Sequence, residues 1–204
     1  MWATRIDLNG ASHDSPGLPS HWLSAAERQE WASFATHKRA EEFRVGRGLL
    51  RQALLASGVD VAGLEVSRDR HRAPRLEGAV NPPAFSICHG GGFALVLLGP
   101  PGQRIGIDAE PLDGDPGPAI LDVMAQHEER RVLAAAGSRE RLQAWVIKES
   151  VQKALGLGMH LDPRRIDSSV RPVRIGEVEV EVQILERWGL QIGIAVAAAS
   201  QEDT

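Results

Sequence analysis

Two carboxylates at a spacing suited to metal chemistry occur in residues 104–110, RIGIDAE. The alternation of this segment predicts a strand over Arg104–Glu110, and residues two positions apart on a strand point to the same face. Asp108 and Glu110 are therefore predicted to lie side by side. Neighbouring carboxylates repel each other unless a cation neutralises them, and Mg²⁺ takes such oxygen ligands while keeping several waters. Because Asp-x-Glu also occurs on solvated sheet edges, a cation site here needs support from other residues.

Two further charges lie on a predicted helix, Arg139–Leu155. With about 100° between successive residues, Glu149 and Lys153 fall on the apolar stripe that begins at Leu142. The opposite side carries a second apolar stripe, made of Ala144, Ile147, Val151 and Leu155. Charges within a packed face need partners, because removing an ion from water costs several kcal/mol. Either Glu149 and Lys153 form a simple i,i+4 pair, or they share a site with other charges. Lys148 points about 100° away and is predicted to pair elsewhere.

A second predicted helix, Arg39–Ser57, places a cation in a similar position. Arg47 interrupts the apolar stripe of this helix four residues after Phe43, and glycines flank it on both sides. The arginine either extends its guanidinium past the edge of the stripe into solvent or binds a ligand. The glycines would let a ligand or another backbone approach closely.

His89 is followed by three glycines, and backbone of this kind can present its N–H groups to phosphates. The strands predicted over Phe93–Leu98 and Arg104–Glu110 are separated by a turn that contains Pro100 and Pro101. We therefore expect these two strands to form an antiparallel hairpin. That pairing would bring His89 and the glycines close to Asp108.

A mixed set of helices and strands must position these residues. The capping box from Ser24 to Glu27 predicts a helix that runs to about Thr36, and the periodicity of later segments predicts another over Ala119–Ala135. Further strands are predicted over Thr4–Leu8, Ala84–Cys88, Glu177–Leu185 and Leu190–Ala198. Since each half begins with helices and continues with a strand pair, we expect an α+β fold of two similar lobes, residues 1–102 and 103–204. The lobes are expected to form one compact unit with pseudo-twofold symmetry.

Composition excludes several classes of protein. The 204 residues carry a net charge of −4, whereas a general nucleic-acid binder should be clearly basic. The charge is uneven: residues 37–75 hold nine lysines and arginines against five acids, and residues 104–130 hold two arginines against seven acids. The single cysteine, Cys88, excludes an intramolecular disulfide. The longest apolar run, Phe93 to Leu98, is far shorter than the roughly 20 residues of a membrane helix, so we expect a cytoplasmic protein that does not enter the membrane.

Four segments together resemble the 4′-phosphopantetheinyl transferases. Residues 106–110, GIDAE, are similar to the family motif G-[VI]-D-x-E, and residues 145–158, WVIKESVQKALGLG, to W-x-x-K-E-[AS]-x-x-K-x-x-G-x-G. Residues 85–89, FSICH, resemble the segment F-[NS]-[IL]-S-H, and residues 46–51, GRGLLR, the helix G-R-x-L-L-R. The order and the gaps also agree over residues 38–158. Length and the similarity of the halves favour the monomeric class with two similar lobes.

This resemblance implies an activity and a set of roles. The enzyme would use Mg²⁺ and coenzyme A to modify a serine of an apo acyl or peptidyl carrier protein, releasing adenosine 3′,5′-bisphosphate. Asp108, Glu110 and Glu149 would hold Mg²⁺ and Lys153 would contact the diphosphate. Glu149 is also the candidate base, with a metal-bound water as the alternative. The phosphates and adenine of coenzyme A would be bound by Arg47, His89, Lys38, Arg39 and Arg72.

Two other functions use the same residues. A Mg²⁺-dependent hydrolase of coenzyme A or of a nucleotide diphosphate needs the metal and phosphate groups but no carrier surface. A module that binds coenzyme A or a carrier protein without catalysis needs neither base nor metal. The presence of all four charged residues at positions 108, 110, 149 and 153 favours an enzyme over such a module.

Overall fold

The computed structural model describes residues 2–7 and 22–198. The chain divides into two compact units, Met1–Asp69 with Pro74–Gly102 and Arg70–Ala73 with Gln103–Thr204. Both units combine helices with antiparallel strands, which confirms the α+β class. The repetition of one design in two symmetric lobes stays a prediction.

The first unit contains a three-stranded antiparallel sheet in the order β1-β5-β4 and a separate pair, β2-β3. The apolar face of α2 packs along β5, and together with β2 these elements form the core of the unit. The predicted strand Thr4–Leu8 corresponds to β1, with Leu8 outside the described residues. The elements are β1 (Trp2–Asp7), α1 (Ala25–Ala32), α2 (His37–Ala56), β2 (Glu65–Arg68), β3 (Pro74–Glu77), β4 (Ala84–Gly90) and β5 (Phe93–Gly99).

The capping box that opens α1 is present as predicted. The Ser24 hydroxyl accepts a hydrogen bond from the Glu27 amide at 3.1 Å, and the Ser24 amide donates to the Glu27 carboxylate at 2.8 Å. The helix ends at Ala32 rather than near Thr36. The reason is that Thr36 is the N-cap of α2, where its hydroxyl accepts from the Arg39 amide at 3.3 Å.

The predicted hairpin between Phe93–Leu98 and Arg104–Glu110 is wrong. β5 pairs with β4 and β1, while the strand from Arg104 belongs to a different sheet. The hairpin turn lies instead at Gly91 and Gly92, whose φ angles of 57° and 77° suit the two-residue turn that joins antiparallel strands. The triple glycine therefore has a local folding role, and it does not bring His89 to Asp108 by strand pairing.

The second unit is built on a four-stranded antiparallel sheet in the order β6-β9-β8-β7, with α5 lying on one face. Three residues of the second apolar stripe predicted on α5, Ile147, Val151 and Leu155, are buried in the core of this unit together with facing residues of β8 and β9. The C-terminal strand pair is confirmed. The elements are β6 (Arg104–Pro111), α3 (Leu121–Met124), α4 (His127–Ala135), α5 (Ser138–Ala154), β7 (Val173–Ile175), β8 (Val178–Arg187) and β9 (Leu190–Ala197).

The continuous helix predicted over Ala119–Ala135 is wrong. A 3₁₀ turn precedes α3, and extended backbone at Ala125 and Gln126 separates α3 from α4. The break lets Met124 of α3 and Leu133 of α4 both enter the cluster that contains Ala144. Among residues 2–7 and 22–198, no helix has the length and apolar character needed to span a membrane.

Lys148 on α5 is fully buried and connects three parts of the second unit. Its ammonium group donates to the Glu129 carboxylate of α4 at 2.8 Å and to the carbonyl oxygens of Pro163, at 3.1 Å, and Ile166. Glu129 in turn accepts hydrogen bonds from the amide and hydroxyl of Ser168. Desolvation lowers the pKa of Lys148, and Glu129 opposes this effect. Lys148 therefore pairs away from Glu149 and Lys153, as the sequence predicts, and its partner is Glu129.

Replacing Lys148 by methionine should lower the free energy of unfolding by about 3–5 kcal/mol, because Glu129 then stays buried without its cation. Urea denaturation followed by circular dichroism measures the change. Arg131→Met is the control, since its pair with Glu128 on the same helix is exposed and should contribute less than about 1 kcal/mol. Equal effects of the two substitutions would contradict a stabilising role for the buried pair.

Candidate functional site

Helix α5 and strands β6 and β9 lie at backbone contact distance. A Cβ atom placed on Gly106 of β6 would lie 2.0 Å from the Ser150 carbonyl oxygen and 2.5 Å from the Ala154 amide nitrogen. One placed on Gly193 of β9 would lie 2.9 Å from the Val146 carbonyl oxygen. Only glycine permits these approaches, so the two glycines set the distance between α5 and the sheet.

This contact brings the predicted charges of the second unit together. Because residues two apart on a strand share a face, Asp108 and Glu110 stand on the same face as Gly106, the one that α5 covers. The Lys153 ammonium lies 2.6 Å from Asp108 Oδ1 and 4.0 Å from Glu149 Oε2. The short contact crosses from helix to strand, so Lys153 and Glu149 are more than a simple i,i+4 pair.

The carboxylates of this cluster, Asp108, Glu110 and Glu149, influence one another electrostatically. Burial, and then the Asp108 charge, raise the pKa of Glu110 to about 7, against the opposing effect of Lys153. Burial likewise raises the pKa of Glu149, which Lys153 lowers and Asp108 raises further. One lysine does not balance three carboxylates in a partly dry site, so the cluster favours an added cation.

Asp108 provides a direct test of whether a cation fits. Its side chain is buried, and its Oδ2 atom has no hydrogen-bond partner among the described residues. Such an oxygen is a suitable ligand for Mg²⁺. No three aspartate, glutamate, histidine or cysteine side chains in the described part of the chain form a ready metal cage. Since Mg²⁺ is commonly held by one or two carboxylates together with substrate phosphates and waters, the residues present fit this ion.

In the first unit, Arg47 is buried rather than extended into solvent. Its Nε atom lies 3.3 Å from Glu27 Oε1, and its guanidinium carbon lies 4.9 Å from the centre of the Phe43 ring. Glu27 also pairs with Arg51 at 2.6 Å. Desolvation lowers the pKa of Arg47 to about 10, with Glu27 opposing, so the side chain remains a cation at neutral pH. A buried, oriented guanidinium can bind a phosphate.

His89 lies beside Arg47 in the fold of the first unit. A Cβ atom on Gly46 would approach His89 Nε2 to 2.9 Å, so the glycine preceding Arg47 allows the imidazole to pack on α2. Lys38 and Arg39 lie at the start of the same helix, where their side chains are 87% and 56% exposed. Both are paired with Glu42, at 4.0 and 3.0 Å. They are thus accessible to a ligand, whereas Arg47 is held in place.

Arg72 belongs to the second unit and is exposed in the turn between β2 and β3. Its φ angle is 65°, and the adjacent Ala73 contacts the position of Gly156, just after α5. The neighbouring His71 ring packs edge-on against His160 at 5.5 Å. The segment that carries Arg72 therefore packs against the loop that follows α5. This loop begins at the end of α5 where Lys153 lies.

Two residues that position these side chains lie outside the site residues predicted from the sequence. The sequence predicts Glu27 only as part of a capping box, yet its carboxylate also orients Arg47 and Arg51. Its position before an arginine-rich helix gave no signal of these contacts. Gly193 occurs within an apolar strand, and an isolated glycine there does indicate close approach by another backbone. That signal was present in the sequence.

The chain was compared with models of known protein families, and the matching segment includes the charged cluster described above. Residues 104–195 match the model of the 4′-phosphopantetheinyl transferase superfamily. The match covers less than half of the chain but includes all four charged residues of the α5–β6 cluster. It supports phosphopantetheinyl transfer in general, and members of this superfamily act on carrier proteins with coenzyme A as co-substrate. No significant match to a curated protein was found.

Gly106→Ala should destabilise the chain by about 3 kcal/mol, the upper part of the range for overpacking. The two atoms nearest to the added methyl group, the Ser150 carbonyl oxygen and the Ala154 amide nitrogen, belong to the backbone of α5 and cannot move aside easily. Urea unfolding measures the loss. The matched control is Gly137→Ala, where the nearest atom is the mobile end of the Glu140 side chain, with an expected loss below about 1 kcal/mol. If Gly106→Ala were as stable as this control, the close seating of α5 would be incorrect.

Proposed function

We propose that this protein transfers the 4′-phosphopantetheine arm of coenzyme A to a serine hydroxyl of an apo acyl or peptidyl carrier protein. Adenosine 3′,5′-bisphosphate is the second product. The observation that carries the proposal is the cluster of Lys153, Asp108, Glu110 and Glu149 on α5 and β6, within the segment that matches the transferase superfamily. A lysine among carboxylates at a sheet edge suits a cation and a diphosphate together.

The carboxylates of Asp108, Glu110 and Glu149 would hold Mg²⁺. When bound, Mg²⁺ would neutralise and orient the diphosphate of coenzyme A. Lys153 now neutralises Asp108; in the loaded site its ammonium group contacts the diphosphate and stabilises the charge that develops on the departing oxygen. Because Lys153 is partly exposed while Asp108 is buried, the lysine can exchange this partner for a phosphate.

Glu149 is the proposed base. A serine hydroxyl is a weak nucleophile and needs a proton acceptor, and Glu149 supplies a carboxylate within the cluster, 4.0 Å from the Lys153 ammonium group. The serine proton passes to Glu149 while the serine oxygen forms a bond to the β-phosphorus of coenzyme A. The bond from that phosphorus to the bridging oxygen breaks, and adenosine 3′,5′-bisphosphate leaves with the electron pair.

Residues of the first unit are proposed to bind the remaining phosphate of coenzyme A. Arg47 would take the 3′-phosphate, since its guanidinium is oriented by Glu27 and Phe43. His89 packs against the same helix turn. Lys38 and Arg39 would add positive charge from the exposed start of α2. Arg72, which belongs to the second unit, would lie beside the adenine.

Several finer points belong to the same proposal. The cation is Mg²⁺, and the chain is of the monomeric class with two similar lobes. We further propose that it works in the cytoplasm, in keeping with a single buried, reduced cysteine, Cys88.

The activity is tested by incubating the protein with coenzyme A, Mg²⁺ and an apo carrier protein and measuring the mass of the carrier. A gain equal to one phosphopantetheine arm, together with release of adenosine 3′,5′-bisphosphate, is expected. Cleavage of coenzyme A with an unmodified carrier would indicate a hydrolase instead. Binding of coenzyme A with no turnover on several carriers would indicate a binding module.

Glu149→Gln should reduce the transfer rate at least about 10²-fold, because the amide can no longer accept the serine proton. The rate is measured with the same mass assay under saturating coenzyme A. Glu140→Gln, an exposed glutamate at the start of the same helix, is the matched control and should retain the wild-type rate. A Glu149→Gln enzyme with wild-type turnover would exclude this residue as the base.

Arg47→Met should raise the KM for coenzyme A about tenfold or more. It should also remove any preference of the enzyme for coenzyme A over dephospho-coenzyme A, which lacks the 3′-phosphate. A charge-assisted contact to phosphate accounts for a change of this size. Arg44→Met provides the control, because Arg44 is also buried on α2 but pairs with Glu41, at 2.7 Å, and not with the Glu27 that orients Arg47. A similar loss with both substrates would contradict binding of the 3′-phosphate by Arg47.

A further inference from the structure

Gln191 lies on β9 directly beside the acidic cluster. It is the register partner of Glu110, just as Gly193 is the partner of Asp108. Cross-strand partners in an antiparallel pair point to the same face, with Cβ atoms about 5 Å apart. Gln191 therefore stands next to Glu110 on the face that α5 covers, although it lies outside every motif considered above.

Only one of the two polar atoms of the Gln191 side-chain amide makes a hydrogen bond among the described residues. The side chain is 1% exposed, and its Nε2 atom donates to Gln143 Oε1 of α5 at 3.5 Å. Its Oε1 atom is buried and has no hydrogen-bond partner within the described residues. The equally buried Gln152 differs: its amide donates to the Leu161 carbonyl at 2.5 Å, and neither of its polar atoms is among the buried, unpartnered atoms of the described residues. A buried acceptor without a hydrogen bond is unfavourable and rare in native proteins, so we expect a donor to bind at Gln191 Oε1.

A second unused acceptor lies on the same face. Asp108 Oδ2 is also buried without a partner, and Asp108 is two residues from Glu110 on β6. A bare cation could satisfy the carboxylate oxygen, but the neutral amide oxygen more readily accepts a hydrogen bond. A hydrated cation offers both, because Mg²⁺ and Mn²⁺ keep several waters whose protons point outward.

We propose that Gln191 is a positioning residue of the cation site, whose Oε1 accepts a hydrogen bond from the hydration shell of the ion held by Asp108 and Glu110. Gln143 fixes the amide so that its oxygen faces the site. The inference rests on the proposed function only in placing a divalent cation at these carboxylates. Polar groups that support bound ions in this way typically change metal affinity by 10–100-fold.

The test measures binding of Mn²⁺ alone, without coenzyme A or carrier, from the electron paramagnetic resonance signal of the free ion. Gln191→Met, of similar volume but with no acceptor, should weaken Mn²⁺ binding about tenfold. Gln191→Glu keeps an acceptor at the same position and should retain wild-type affinity or exceed it. Gln152→Met is the matched control and should bind Mn²⁺ as the wild type does, even where its melting temperature falls. If Gln191→Met does not fold, Gln143→Met carries the test, with a weaker loss expected because the amide is released.

The inference is overturned if Gln191→Met binds Mn²⁺ within twofold of the wild type, if Gln191→Glu loses as much affinity as Gln191→Met, or if the wild type binds no Mn²⁺. The two experiments distinguish failure of the inference about Gln191 from failure of the proposed function. A wild type that modifies a carrier while Gln191→Met retains full Mn²⁺ affinity keeps the function and rejects the role of Gln191. A wild type whose Mn²⁺ affinity depends on Gln191 but that modifies no carrier keeps the role and rejects the function.

Discussion

Helix α5 rests on β6 and β9 at two points where the strand has no side chain, Gly106 and Gly193. This close approach brings a helix residue, Lys153, within 2.6 Å of a strand residue, Asp108. A methyl group at either glycine would have to move helix or strand backbone, and the distance between the charges would grow with it. The geometry of the acidic cluster therefore depends on the absence of two side chains as much as on the presence of four charged ones.

Close seating has an electrostatic consequence. It places carboxylates where burial raises the pKa of Glu110 and Glu149 and leaves Asp108 Oδ2 without a hydrogen bond. Such a cluster is costly in isolation, because buried charge and unpaired acceptors both oppose folding. The buried pair of Lys148 with Glu129 holds the opposite side of α5 to α4 and to the segment after α5. The helix is thus anchored on one side and carries Glu149 and Lys153 of the acidic cluster on another.

The sequence predicted the local parts of this arrangement well, since helical and strand periodicity act over a few residues. It identified α5, β6 and the stripe with Glu149 and Lys153, and it indicated that Lys148 has a separate partner. The hairpin that it predicts between β5 and β6 is wrong, because strand pairing depends on residues far along the chain: the partner of β6 is β9, more than 80 positions later. The predicted phosphate-binding role of the glycines after His89 has a simpler alternative, because the positive φ angles of Gly91 and Gly92 form the turn between β4 and β5. Gln191 gave no sequence signal, since its relevance comes only from its register with Glu110.

The most direct test of the central claim is anomalous diffraction from a crystal of the protein grown with coenzyme A and Mn²⁺ in place of Mg²⁺. The expected result is a manganese peak bound by Asp108, Glu110 and Glu149, with Lys153 in contact with the diphosphate of coenzyme A. A manganese peak away from these carboxylates, or coenzyme A bound without contact to Lys153, would contradict the assignment of the α5–β6 cluster as the site of phosphopantetheinyl transfer.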